Sequence, residues 1–256
     1  MSGTGGETVR KLASGAIGTV AGLAALLVAE GLVATYRTYL PAESAPPVEG
    51  AFGDQASPPL HLVMAGDSTA AGVGVTDPAE TVGARLASDL AGEWRVTLSS
   101  VAVSGSRASD LGPQVSRALL LRPDVAVVLI GANDVTHATP LREMAGQLST
   151  AVTRLREAGV AVVVGTCPYM GARAFLPPLR QLAAWQGRRL AHASAVAVHE
   201  SDGSVVAIGE LCGPLFRSDP LTLSADAFHP SAEGYRHWAE ALAPAVRRAA
   251  GQRTSR

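Results

Sequence analysis

Two polar residue types are almost missing from this sequence: Lys11 is its only lysine and Asn133 its only asparagine. A strong charge bias is missing too, with 21 basic against 22 acidic residues and a formal net charge of −1. Such a surface carries no electrostatic footprint for nucleic acid. The paired arginines Arg188–Arg189 and Arg247–Arg248 suit solvated helix faces. Cysteine is limited to Cys167 and Cys212, and neither an HExxH motif nor a Cys/His set offers metal ligands. Asp134 and His137, near Asp226 and His229, could be imagined as ligands, but the last two residues have a better use below. No metal and no cofactor are expected. In an exported protein two cysteines favour a disulfide; the alternative is a pair of buried thiols.

What the sequence does contain is apolar material, 47% of 256 residues, enough for one globular domain and an extra apolar segment. That segment is LASGAIGTVAGLAALLVA, residues 12–29, uncharged and preceded by Arg10 and Lys11. As a helix it would reach about 27 Å, close to the ~30 Å hydrocarbon layer of a bilayer. It exceeds the ~7–15 residues usual for the apolar part of a signal peptide, and no clean small-x-small cleavage site follows. Residues 1–40 are therefore read as an uncleaved membrane anchor, in preference to a cleaved signal or a helix lying on a soluble domain. The rest of the chain would then be tethered or exported outside the cytoplasm. Residues 41–59, with five prolines, predict an extended, solvated linker. The folded domain spans 60–250, and 251–256 form a tail. Because every motif below lies beyond residue 60, the first 40 residues are expected to be dispensable for activity.

Within the domain, apolar runs of strand length alternate with helix-patterned segments. HLVMAG (61–66), RVTLSSVAV (95–103), DVAVVLIG (124–131), VAVVVGT (160–166) and AVAVHE (195–200) read as strands. Helices are expected over about 80–90, 111–121, 142–157, 179–192 and 231–249, with Gly159 ending the third and Ser231 capping the last. Unbroken apolar strands alternating with helices imply an α/β fold, a parallel sheet covered on both faces. In such sheets ligands sit beyond the carboxyl ends of the strands.

Four features fall there or close by: GDSTAAG (66–72) with Ser68, SGSRAS (104–109) with Gly105, GAND (131–134) with Asn133, and DAFHP (226–230) with Asp226 and His229. Singly, each has an ordinary use as a helix cap, a turn glycine, a turn residue or a local hydrogen bond. Together they meet one chemical need. A serine hydroxyl is a weak nucleophile until an imidazole takes its proton, and that imidazole needs a carboxylate to hold its tautomer. Asp226, three residues before His229, can supply it. The oxyanion then needs donors, which the N–H groups of Ser68 and Gly105 and the Asn133 amide could provide. A chain that otherwise dispenses with asparagine keeps one directly after its central strand. Ionised aspartate there would carry no N–H to donate.

These blocks resemble those of the SGNH hydrolase family, which includes the GDSL esterases and lipases. GDST (66–69) resembles the first block with Ser68 as nucleophile, SGSRAS the second with Gly105, GAND the third with Asn133, and DAFHP the D-x-x-H block. The resemblance covers roughly residues 60–250. It implies a flavodoxin-like three-layer α/β/α sandwich with five parallel strands, and hydrolysis of small acyl esters without a cofactor. Thr69 replaces the leucine that names the GDSL group, and Ser100 stands where many relatives carry asparagine. Short- to medium-chain esters are the expected substrates, with glycan O-acetyl groups next. Lysophospholipase or thioesterase activity would use the same mechanism. An inactive envelope-anchored binding domain would predict an erased nucleophile, histidine or oxyanion donor, and none is erased. The nucleophile elbow G-x-S-x-G of α/β-hydrolases is absent at Ser68.

Overall fold

The computed structural model of the chain describes residues 22–34 and 36–252. Six strands form one mixed sheet: β1 (Gly50–Phe52), β2 (Pro59–Gly66), β3 (Arg95–Ser100), β4 (Val125–Leu129), β5 (Ala161–Gly165) and β6 (Ser204–Val206). Their order is β1-β3-β2-β4-β5-β6. At one edge β1 pairs antiparallel with β3, and every other neighbouring pair is parallel. The helices are α1 (22–34), α2 (Val82–Leu90), α3 (Leu111–Leu120), α4 (Ala132–Thr136) and α5 (Leu141–Glu157). They continue with α6 (Leu179–Glu200), α7 (Ile208–Leu211), α8 (Gly213–Ser218) and α9 (Ala232–Gly251).

Strand alternation sorts the apolar side chains into two cores. Leu62, Met64, Val125, Val127 and Val163 point to one face, where they meet residues of α2 and α9. Val63, Ala65, Ala126, Val128 and Val164 point to the other, under α3, α5 and α6. Burial on both faces is why these strands read as unbroken apolar runs. Gly159 ends α5 at φ 78°, and Ser231 Oγ caps α9 by accepting the Gly234 N–H at 3.2 Å.

The structure corrects two expectations of the fold. The strand expected at 195–200 is the last turn and a half of α6. Its buried positions Ala183, Gly187, Leu190, Ser194 and Ala197 follow helical spacing, and Val196 is exposed. The alternation of Val196 and Val198 imitated a strand inside a helix, and the last strand, β6, follows a tight turn later. Residues 41–59 are not simply a solvated linker. They contribute β1, which turns the expected five-stranded sheet into a mixed six-stranded one, and Val48 is buried in the first core.

The apolar N-terminus, expected as a membrane anchor, is described only in part. Among the described residues no helix is long and apolar enough to cross a membrane. Residues 12–21 of the expected span, and the rest of 1–21, lie outside the described residues. The end of α1 lies on the domain: Glu30 is buried, its Oε2 accepts the Leu179 N–H at 2.8 Å, and Ala34 packs on the second core. A carboxylate at the amino end of α6 is favoured by the helix dipole.

Of the two readings of the cysteines, the structure has the buried thiols. Cys167 and Cys212 are free, buried thiols. Cys212 belongs to the core on one face of the sheet and Cys167 to the core on the other. Burial keeps both protonated, pushing Cys212 up to about 11 and Cys167 higher than an ordinary thiol.

Candidate active site

The turn after β2 is set by Gly66. A Cβ there would lie 1.8 Å from the Leu129 carbonyl oxygen, and its φ is 131°, so only glycine lets the chain leave β2 this close to β4. The Asp67 N–H donates to that same carbonyl at 3.0 Å, and the Ser68 carbonyl accepts the Val73 N–H at 2.9 Å. Beneath the turn lies Gln114 of α3, a residue that sequence reasoning missed. Its Oε1 accepts the Gly66 N–H at 2.7 Å, while Nε2 donates to Gly66 O at 2.9 Å and Ser106 Oγ at 3.0 Å. One buried amide thus ties the Ser68 turn to the loop after β3. The available signal was a polar residue on the apolar face of α3, beside Leu111, Val115 and Ala118.

Ser68, His229 and Asp226 are brought together, each less than a tenth exposed. Asp226 Oδ1 accepts from Ser224 Oγ and from the amides of Phe228 and His229, each at 2.9 Å, so the DAFHP turn is wound around one carboxylate oxygen. The other oxygen, Oδ2, accepts the His229 Nδ1–H at 2.6 Å and the Leu40 N–H at 3.1 Å. With Nδ1 as donor, His229 Nε2 is left as an acceptor, and Ser68 Oγ–H donates to it at 3.0 Å.

Asn133, in α4, reaches the loop after β3 that carries Gly105: its Nδ2 donates to the Ser106 carbonyl at 3.0 Å. Glycine at 105 is required by its backbone and not by a neighbour in the fold. No atom lies within 4 Å of where its Cβ would be, so close approach by a neighbour is not the constraint. Its φ of 83° is, because this left-handed conformation favours glycine. Asp134, next to Asn133, turns inward and its Oδ2 accepts the Ala108 N–H at 3.1 Å. Burial raises its carboxyl above the ordinary range, against that hydrogen bond. Among the described residues no group of three or more His, Cys, Asp or Glu side chains could hold a metal ion.

Two carboxyls here shift in opposite directions. Burial raises Asp67 from 3.8 to about 6, against hydrogen bonds from Thr69 Oγ1 at 2.7 Å and Thr69 N–H at 2.9 Å. Burial alone would raise Asp226 too. There the donors from His229, Phe228 and Leu40 win, holding it well below the usual carboxylate range. The consequences for stability have opposite signs. Asp226 stabilises the fold above its unfolded pKa and loses that contribution as pH falls below about 4. Asp67 binds its proton more tightly when folded, so its contribution is greatest below about pH 4 and declines as pH rises to about 6. Asp67→Asn keeps an acceptor for both Thr69 donors and removes that decline. Urea unfolding at about pH 4.5 and about pH 6.5 should show the wild type losing about 2 kcal/mol more than the variant between them. Equal losses in the two proteins would show that Asp67 does not titrate in this range.

A sheet covered on both faces, with a hydrogen-bonded serine–histidine–aspartate chain beyond the carboxyl ends of its strands, makes this an α/β protein with a hydrolase-like candidate site. The chain belongs to the GDSL-like lipase/acylhydrolase family, which it matches over residues 64–237. It is 41% identical over 194 residues to the GDSL-like esterase Rv1075c of Mycobacterium tuberculosis, covering 73% of this chain and 62% of that protein. This chain thus spans less than two thirds of that relative's length. Among solved structures it resembles Axe2, an acetylxylan esterase from Geobacillus stearothermophilus, with a TM-score of 0.60 and 18% identity, over 75% of this chain and 96% of that one. It also resembles the psychrotrophic esterase EstA from Pseudoalteromonas sp. in a structure inhibited by monoethylphosphonate, with a TM-score of 0.59 and 14% identity, over 73% and 97% of the two chains. At these identities the two structural likenesses are of fold.

Proposed function

We propose that the chain is a carboxylic-ester hydrolase acting through Ser68. The observation that carries this is the unbroken hydrogen-bonded chain from Ser68 Oγ through His229 to Asp226, with its two links of 3.0 and 2.6 Å. Ser68 Oγ attacks the acyl carbonyl carbon while His229 Nε2 takes its proton, and Asp226 Oδ2 holds and stabilises the imidazolium. The charge that develops on the carbonyl oxygen is met by the N–H groups of Ser68 and Gly105 and the Asn133 side chain. Among the described residues neither of those amides donates to a protein acceptor. The Ser106 carbonyl occupies one Asn133 Nδ2 hydrogen and orients the amide, leaving the other for the oxyanion. His229 returns the proton to the leaving alkoxide, and water attacking the acyl-enzyme releases the acid by the same path.

The hollow beside the serine favours a short acyl group. It holds about 30 Å³, with walls that include Ser68, His229, Tyr169, Met170, Phe228 and Trp238. That is far below the ~300–1,000 Å³ of an ordinary small-molecule pocket. A larger hollow of about 370 Å³ lies over α2 and α9, but none of the Ser68, His229 and Asp226 side chains reaches it. An acetyl ester of a glycan is the second reading, favoured by the small hollow and by the acetylxylan esterase among proteins of the same fold. A panel of nitrophenyl esters beside acetylated xylan tests both. Acetate and butyrate should exceed decanoate in kcat/KM by at least about tenfold, since a chain longer than the hollow can enter only by displacing its walls, at a cost of about 1–3 kcal/mol. A preference for decanoate would rule out this substrate reading. Failure of a fluorophosphonate probe to label the protein would favour an inactive binding domain.

We also propose that residues 12–29 tether the enzyme to a membrane, with the domain outside the cytoplasm. The support is the length of the uncharged run and the exposure of Leu23, Leu26, Val28, Leu32 and Val33 on the described helix. Full-length chain recovered in the soluble fraction without detergent would overturn it.

A further inference from the structure

We propose that residues 37–40 form a strap that positions Asp226, making the segment ahead of the domain part of the active site. This rests on the triad assigned above. The three donors to Asp226 Oδ1 all come from its own turn. The oxygen that faces the imidazole has one donor besides His229, the Leu40 N–H, from 186 residues away. Two donors in fixed directions hold the carboxylate plane against rotation and occupy the face of Oδ2 that water would otherwise reach. Pro41 restricts Leu40 to extended conformations, so its N–H is presented with little further loss of freedom.

The strap is seated at several points. Arg37 Nη2 donates to the Asp226 carbonyl at 3.3 Å and Nη1 to the Ala174 carbonyl at 3.4 Å. The Tyr39 ring meets Phe228 edge-on at 5.2 Å, and Phe228 in turn meets the His229 ring edge-on at 5.2 Å and Phe175 at 5.8 Å. Upstream, Glu30 holds the first residue of α6. On this proposal residues 37–40 contribute to activity, against the expectation that the first 40 residues are dispensable. Arg37, Tyr39 and Leu40 are positioning residues: they touch Asp226 and Phe228, not the reacting atoms.

The test uses full-length protein. Leu40→Pro removes the N–H, Leu40→Ala keeps it, and the double variant Arg37→Ala/Tyr39→Ala unseats the strap while leaving Leu40 in place. With nitrophenyl acetate, kcat should fall about tenfold in Leu40→Pro and in the double variant, with KM within about twofold. Leu40→Ala should recover most of the loss. Wild-type kcat in the double variant overturns the proposal, even if its melting temperature drops, because a purely structural contact would show that pattern. Equal losses in Leu40→Ala and Leu40→Pro also overturn it. If Leu40→Pro does not fold, the double variant decides. Ser68→Ala separates the two levels of the argument. If it retains turnover, the triad itself is wrong; if it is inactive while the strap variants match wild type, the strap alone fails.

Discussion

Ser68→Ala lowers kcat by about 10⁴–10⁶-fold, the scale on which removal of a serine nucleophile acts when its base and oxyanion donors remain. No neighbour can replace it. Thr69 commits its hydroxyl hydrogen to Asp67, and the Cys167 thiol is buried with its pKa raised by burial. The Ser68 side chain makes one hydrogen bond, to His229, so the fold barely registers the loss. The melting temperature should stay within a few degrees of wild type. Fluorophosphonate labelling of the same sample should disappear. Turnover above about one percent of wild type, at unchanged stability, would mean another group carries the chemistry.

Asn133→Ala lowers kcat by about 10²–10³-fold with KM little changed, because the amide is needed where negative charge develops and less in the ground state. The structure adds a second term. The variant also loses the bond to the Ser106 carbonyl, so a stability loss of about 1 kcal/mol accompanies the kinetic one. Asn133→Asp should be at least as damaging to kcat, placing a carboxylate against both the Ser106 carbonyl and the forming oxyanion. Kinetics and thermal melting on one preparation separate the two roles. A stability loss with kcat intact would reduce Asn133 to an anchor for the loop after β3 and remove it from the oxyanion site.

The sheet was legible because its cause is local. Stretches such as 125–130 and 160–164 are apolar at every position, and that requires burial on both faces whatever the rest of the chain does. The candidate site was legible for a related reason: turns carrying Ser68, Asn133 and the Asp226–His229 pair announce themselves in short motifs. Gln114 was not, since a glutamine in a helix acquires meaning only when the Gly66 and Ser106 backbone lies against it.

The sequence by itself determined a doubly covered α/β domain and the residue types of its site, because alternation, turn glycines and the Asp-x-x-His spacing act over a few residues. Tertiary structure alone decided where α6 ends, since Val196 and Val198 fit either period until one is exposed and the other buried. It alone put Cys167 and Cys212 on opposite faces of the sheet and added β1 to its edge. It alone set Leu40 against Asp226, a contact across 186 residues that leaves no local pattern because its donor is a backbone N–H, which every residue but proline carries.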